Sequence, residues 1–177
     1  MNIDNRLTII AGTTRENSNS ALIARFYAGQ LSSSGAEVKV LDLKDLPRDF
    51  VFSDMYGKRS DEMREIIDVY LESTQKFTFV IPEYNGGFPG VLKAFIDAVP
   101  PSVFYGKKAG LIGIASGHAG GLRPLDQFTN VLNYLQVNVL HLKPKLSNIE
   151  AAIVDGKLDD PRAKELLRRH ADLMLNF

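Results

Sequence analysis

Three short apolar runs, residues 7–11 (LTIIA), 77–81 (FTFVI) and 109–115 (AGLIGIA), each break off at a loop of glycines, hydroxyls or amides and then give way to helical periodicity. Runs without polar alternation are strands covered on both faces, the situation of a parallel sheet wrapped in helices. After the first run, Leu22, Ile23, Phe26 and Leu31 recur at helical spacing from Ser18 onward, with a stop at the serine-glycine cluster 33–35. A second strand is expected over 38–43, then a charged, aromatic-bearing connection over 46–60 with Pro47 and Gly57. A helix over 61–72 follows, carrying Met63, Ile66, Ile67 and Tyr70. A short helix over 91–99 is closed by Pro100 and Pro101, and Leu122, Leu125, Phe128, Leu132 and Leu135 mark one face of the next. Residues 137–142 read as a fifth strand. Beyond a loop through Pro144 and Gly156, a final amphipathic helix is expected from Pro161 to 175, with Leu166, Leu167, His170 and Met174 on one side.

Five strands alternating with five helices need right-handed crossovers and cover on both sheet faces. The expected fold class is therefore α/β: a flavodoxin-like three-layer sandwich around a five-stranded parallel sheet of order 2-1-3-4-5. The 177 residues fit a single domain over 1–177. Ligands of such sheets bind beyond the carboxyl ends of the strands where the winding reverses. The loops after Ala11, Ile81 and Ala115 are thus the expected site.

Lys plus Arg and Asp plus Glu number 21 each, so no global charge points to nucleic acid or an anionic membrane surface. The same balance argues against a carrier protein steered to many redox partners. With no cysteine, disulfides, thiolate nucleophiles and cysteine-ligated clusters are excluded. His141 and His170 lack a second ligand at metal spacing, so no metal is expected. The start, MNIDNRLTIIAG, has no signal-peptide core, and no apolar stretch approaches the ~20 residues that span a bilayer. A cytoplasmic location follows as the expectation.

The first loop, GTTRENSNS from Gly12, sets hydroxyls, amides and Arg15 at a helix N-terminus, where free N–H groups and the helix dipole attract an anion. Neither GxGxxG nor GxxxxGK[ST] is present, so a terminal monophosphate suits the loop better than a pyrophosphate. Helix capping by Thr13, Ser18 and Asn19 explains the same residues equally well. The second loop, PEYNGGFPG from Pro82, offers adjacent glycines, an adaptable amide at Asn85 and an aromatic wall at Tyr84, which are the needs of a planar heterocycle. A plain Gly/Pro turn is the alternative. In the third loop, SGHAGG from Ser116, backbone amides and a hydroxyl could hold the polar edge of such a ring. His118 reads as a solvent-facing loop residue with ligand contact as the lesser alternative.

Together GTTRENSNSAL, PEYNGGFPGVLKAFIDAV and ASGHAGGLRPLDQ resemble the NADPH-dependent FMN reductases, a group that includes quinone, azo-dye and chromate reductases. The resemblance covers nearly the whole chain. It implies FMN as cofactor and NADPH or NADH as hydride donor. Thr13, Arg15, Ser18 and Ser20 would surround the phosphate, with Asn19 beside them. Pro82, Glu83, Tyr84 and Asn85 would line the ribityl chain and ring, with Gly86 close by and Ser116 and Gly117 at the ring's polar edge. Many members carry asparagine where this chain has the shorter Ser20. A homodimer or homotetramer is also implied, with flavin near the subunit interface. No catalytic side chain is expected, because the cofactor performs the chemistry. The implied reaction passes hydride to flavin and then to a small acceptor (free flavin, quinone, azo compound or metal oxyanion) in ping-pong order. A flavodoxin-type electron carrier or a non-enzymatic flavin-binding module is the alternative. The loop 50–56, with Phe50, Phe52, Met55 and Tyr56, would either pack internally or cover a neighbour's flavin. For the 2′-phosphate of NADPH no dedicated site is legible, and Lys107, Lys108 and Arg123 are unranked candidates.

Overall fold

The computed structural model describes residues 6–177; the polar stretch 1–5, part of the N-terminal reading above, lies outside the described residues. Strands β1 (Arg6–Ala11), β2 (Glu37–Asp42), β3 (Lys76–Pro82), β4 (Lys108–Ile114) and β5 (Asn138–Val139) form a parallel sheet in the order β2-β1-β3-β4-β5, as expected. All seven residues of β3 are buried, with Leu7–Ala11 of β1 paired on one side and the whole of β4 on the other. One face is sealed by α1 (Asn19–Ser33) and α6 (Pro161–Asn176). The other carries α3 (Asp61–Ile66), α4 (Gly90–Ala98) and α5 (Leu122–Tyr134).

Several expectations are corrected. The fifth strand is broken: β5 leaves the sheet after Leu140, whose N–H donates to Ala109 O at 2.8 Å, and β6 (Lys145–Leu146) rejoins β4 at Gly113 and Ile114. Pro144 stands at the break, without the N–H a continuous strand would need, and offers only its carbonyl to Gly113 N at 2.8 Å. The helix over 61–72 starts as read, with Ser60 Oγ accepting from Met63 N at 3.2 Å, but widens into π geometry over Ile67–Glu72. Lys39 Nζ donates to Val69 O in that stretch at 2.9 Å, and Lys107 Nζ donates to Leu71 O. In α1 the buried face is Ile23, Ala24, Tyr27 and Leu31, leaving Leu22 and Phe26 half-exposed. Leu122 is likewise outside the core, 44% exposed. The connection 46–60 contains a helix, α2 (Phe50–Ser53), which buries Phe50 and half-buries Met55 while Phe52 and Tyr56 are each 92% exposed. A hairpin of β7 (Ile153–Val154) and β8 (Lys157–Leu158) occupies what read as a plain loop. Its Asp155-Gly156 turn, φ 49° and 71°, is the left-handed pair that matches strand twist.

The final helix is seated by polar contacts inside the core. Asp160 Oδ1 accepts from Ala163 N at 2.7 Å at its start, and Lys76 Nζ donates to Met174 O (3.0 Å) and Leu175 O (2.8 Å) at its end, opposite the negative pole of the helix. Midway, His170 is fully buried and its Nδ1 shares a 2.6 Å hydrogen bond with Tyr27 Oη. The imidazole lies against Gly110, where a Cβ would stand 2.5 Å from His170 Cε1, so only glycine fits that position of β4.

Burial pushes the His170 imidazole down to about 3 from its ordinary 6.5. Between those values the unfolded chain binds a proton that the native state does not. Stability contributed by the neutral imidazole is therefore complete above pH 6.5 and is lost as pH falls toward 3, by about 1.4 kcal/mol per pH unit where the slope is full. Urea unfolding from pH 7 to 4 should show a shallower decline for His170→Asn than for the parent; equal slopes would remove this group from the acid response.

Candidate functional site

The carboxyl ends of β1, β3 and β4 open into a cleft of about 430 Å³. Of the residues singled out by sequence, Arg15, Ser18, Asn19, Ser20, Pro82, Glu83, Tyr84 and Ser116 line it, whereas Thr13, Asn85, Gly86 and Gly117 do not. Glu16, Asn17, Ile149 and Glu150 line it as well.

The first loop turns into α1 through Asn17, whose φ is 50°. Ser18 is the helix cap, its Oγ accepting from Ala21 N at 3.1 Å. An accepting hydroxyl keeps its own proton, so capping and anion binding are compatible at Ser18. Asn19 and Ser20 are the first helical residues, and backbone N–H groups there have no intrahelical acceptor. Ser20 Oγ is buried without a hydrogen-bond partner. An unpaired buried hydroxyl is costly unless something completes it, and a phosphate oxygen would. Thr13 does not cap α1, whose cap is Ser18. It is buried behind the wall, with Oγ1 2.9 Å from Tyr84 Oη and accepting from Arg15 N at 3.3 Å.

The second loop is a tight turn rather than a flexible glycine run. Tyr84 N donates to Gly87 O at 2.9 Å and Gly87 N returns to Tyr84 O at 3.0 Å, with Asn85 and Gly86 at φ 51° and 81° between them. Gly86 answers the left-handed backbone; Gly87 answers α5, since a Cβ there would lie 2.9 Å from Gln127 Oε1. Asn85 and Gly86 thus shape the turn that presents Tyr84. Phe88 anchors the loop through Phe128 (centroids 5.3 Å apart), which packs edge-on against Phe79 at 4.9 Å. Glu83 accepts from Arg123 Nη1 at 3.0 Å and its own N–H donates to Ile114 O at 3.1 Å.

In the third loop, Ser116 Oγ donates to Glu150 Oε1 at 2.7 Å. Gly117 and His118 line an adjoining hollow instead, and His118 is solvent-exposed, with Nδ1 3.5 Å from Asn148 Nδ2. Glu150 carried no local sequence signal. It arrives because β6 rejoins β4 and Ile149 N donates to Ala115 O at 3.1 Å. Lys107 and Lys108 prove to be at the opposite, amino edge of β4, where Lys108 Nζ lies 5.3 Å from the centre of the Phe177 ring. Among the described residues no cluster of three or more His, Cys, Asp or Glu could hold a metal ion. The cleft thus pairs a helix-start end whose donors suit an anion with a slot edged by Glu83, Tyr84 and the Ser116 hydroxyl.

Comparison with known proteins follows the same lines. The family model for NADPH-dependent FMN reductases matches residues 5–150. An NAD(P)H-dependent FMN reductase of Pseudomonas aeruginosa is 29% identical over 175 residues, 96% of this chain and 92% of its own. An FMN-dependent NADPH-azoreductase of Staphylococcus aureus is 27% identical over 112 residues, 62% of this chain and 60% of its own. Among solved structures, the flavoenzyme NAD(P)H:(acceptor) oxidoreductase FerB of Paracoccus denitrificans superposes with a TM-score of 0.78 at 21% identity, over 97% of this chain and 95% of that one, which speaks to fold. With the family match spanning most of the sequence and the cleft at the expected strand ends, the chain belongs to the NADPH-dependent FMN reductase family.

Proposed function

We propose that the cleft holds FMN with its phosphate at Arg15, Ser18, Asn19 and Ser20 and its ring between Pro82–Tyr84 and Ser116, and that NAD(P)H and a small acceptor use the open side in turn. The observation that carries this reading is the buried, unpartnered Ser20 Oγ at the helix-start end of the cleft. Bound there, FMN would supply the two-electron exchange between nicotinamide and acceptor. The protein's part is to place and polarise. Arg15 adds a charge-assisted contact to the helix-start donors, Thr13 fixes the Tyr84 hydroxyl, and Ser116 is oriented by Glu150. Asn85, Gly86 and Gly117 act on the ring indirectly, by setting loop shape. Free flavin, quinones, azo compounds and metal oxyanions are the acceptor classes that a shared open face admits.

A homodimer completes the proposal. Tyr134 is 87% exposed beside a groove between α4 and α5 lined by Ile96, Val131 and Leu135, and Phe52 and Tyr56 project from the same side of the sheet. Exposed aromatics bordering an apolar groove suit a second copy of the same surface. In that arrangement the 50–56 loop of one subunit borders the other's cleft.

Arg15→Ala should weaken FMN binding by about tenfold or more while leaving the urea midpoint of the apoprotein in place; undiminished affinity would dismiss the phosphate assignment. Anaerobic NADPH added to the FMN-loaded protein should bleach bound flavin, and double-reciprocal plots against a quinone should be parallel. Flavin that stays oxidised would defeat the reductase reading, and intersecting lines the alternating order. Tyr134→Glu should shift the protein toward monomer in sedimentation velocity, and an unchanged oligomer would place the interface elsewhere.

A further inference from the structure

A second hollow, about 590 Å³, lies between the first half of α1 and the β7–β8 hairpin. Leu22, Phe26 and Leu158 supply apolar surface, and Arg25, Lys157 and Lys164 supply the charge. Asn17 and Ser18 line both this hollow and the FMN cleft, so the two are continuous around the start of α1. Lys164 Nζ is held by Asp159 at 2.9 Å and Arg25 lies 3.7 Å from Asp42 Oδ2, while Lys157 stands on the exposed strand just past the Asp155-Gly156 turn. None of the lining side chains is a carboxylate.

This combination is what an aromatic base bearing a phosphate requires: a flat apolar surface for the ring and several cations within reach of one dianion. We infer that the hollow receives the 2′-phosphoadenosine end of NADPH, a conclusion that rests on the reductase reading above. A dinucleotide with its nicotinamide over the flavin must place its adenosine outside the FMN cleft, in a hollow continuous with it. The other adjoining hollow, at Ser116–Ala119, is polar, offers no apolar side chain larger than alanine, and sets the Glu83 carboxylate in its lining beside Arg123. The hollow on α1 also accounts for Leu22 and Phe26, which follow the helical apolar pattern yet stay half-exposed. Because NADPH and NADH differ only in the 2′-phosphate, the cations here would set the preference between them.

The test titrates 2′,5′-ADP and 5′-AMP into the FMN-loaded protein by calorimetry, for the parent and for the double variant Lys157→Glu, Lys164→Glu, alongside NADPH and NADH kinetics. The parent should bind 2′,5′-ADP about tenfold more tightly than 5′-AMP, and the variant should lose that advantage and lower the NADPH-to-NADH ratio of kcat/KM by about as much. Phe26→Ser should weaken both nucleotides alike. Equal affinity of the parent for the two nucleotides, or an unaltered ratio in the double variant, overturns the assignment. So does a variant that changes only the sedimentation of the protein, which would make the hollow a contact between copies. If neither nicotinamide reduces the flavin, the reductase reading falls, and the nucleotide titration still decides what the hollow binds.

Discussion

Strand β3 has no free side. Its backbone is paired to β1 and β4, both of its faces are covered, and every residue from Lys76 to Pro82 is buried. Only its ends remain to do anything chemical, and they do different things. At the amino end Lys76 satisfies the last carbonyls of α6, tying the outermost helix to the centre of the sheet. At the carboxyl end Pro82 cannot donate a further ladder bond, so the chain leaves the sheet and delivers Glu83 and Tyr84 to the cleft. Structural charge at one edge and cleft-lining groups at the other follow from burying one strand completely.

What the sequence disclosed was whatever local periodicity encodes. Uninterrupted apolar runs announced the buried strands, and loops rich in hydroxyls and glycine at their ends announced the cleft, so eight of the residues singled out do line it. Local patterns are blind to contacts made across the chain. Glu150 reaches Ser116 only because Pro144 breaks the fifth strand and β6 returns to β4. Thr13 reads from its loop as a phosphate neighbour or a helix cap, and the Tyr84 hydroxyl it meets, 71 positions away, has no local signal. The hairpin is a different kind of omission: Val154-Asp155-Gly156-Lys157 carries the Asp-Gly signal of a two-residue turn, but its strands are too short to show alternation. Leu22 and Phe26 show the converse limit, since helical spacing marks an apolar face without saying what will cover it.

Each loop around the cleft is held by a partner remote in sequence. Thr13 joins the first loop to the second, Glu83 joins the second to α5 through Arg123, and Ser116 joins the third to the segment after β6. Such cross-bracing fixes the rim before a ligand arrives, so little ordering is left to be done on binding. The start of α1 is arranged in the opposite way. The N–H groups of Asn19 and Ser20 have no acceptor within the helix and Ser20 Oγ lacks a partner, and an anion would complete them. Rigidity and unmet hydrogen bonding are thus separated within one cleft, the first shaping the slot and the second supplying attraction.

Surplus positive charge gathers beyond the start of α1. The whole chain is neutral, and at the helix-start end of the cleft Arg15 stands next to Glu16, with Arg25, Lys157 and Lys164 just beyond, while Glu83 and Glu150 stand at the far end, one of them paired with Arg123. A surplus of cations beyond one end of a cleft attracts an anionic group before close contact is made. In the proposed function, a molecule with an anionic terminus and an uncharged ring would enter phosphate first toward α1, with the ring beside Tyr84 and Ser116. A neutral composition is therefore compatible with strong local direction, and what matters for binding is where the cations and carboxylates are placed rather than how many of each the chain contains.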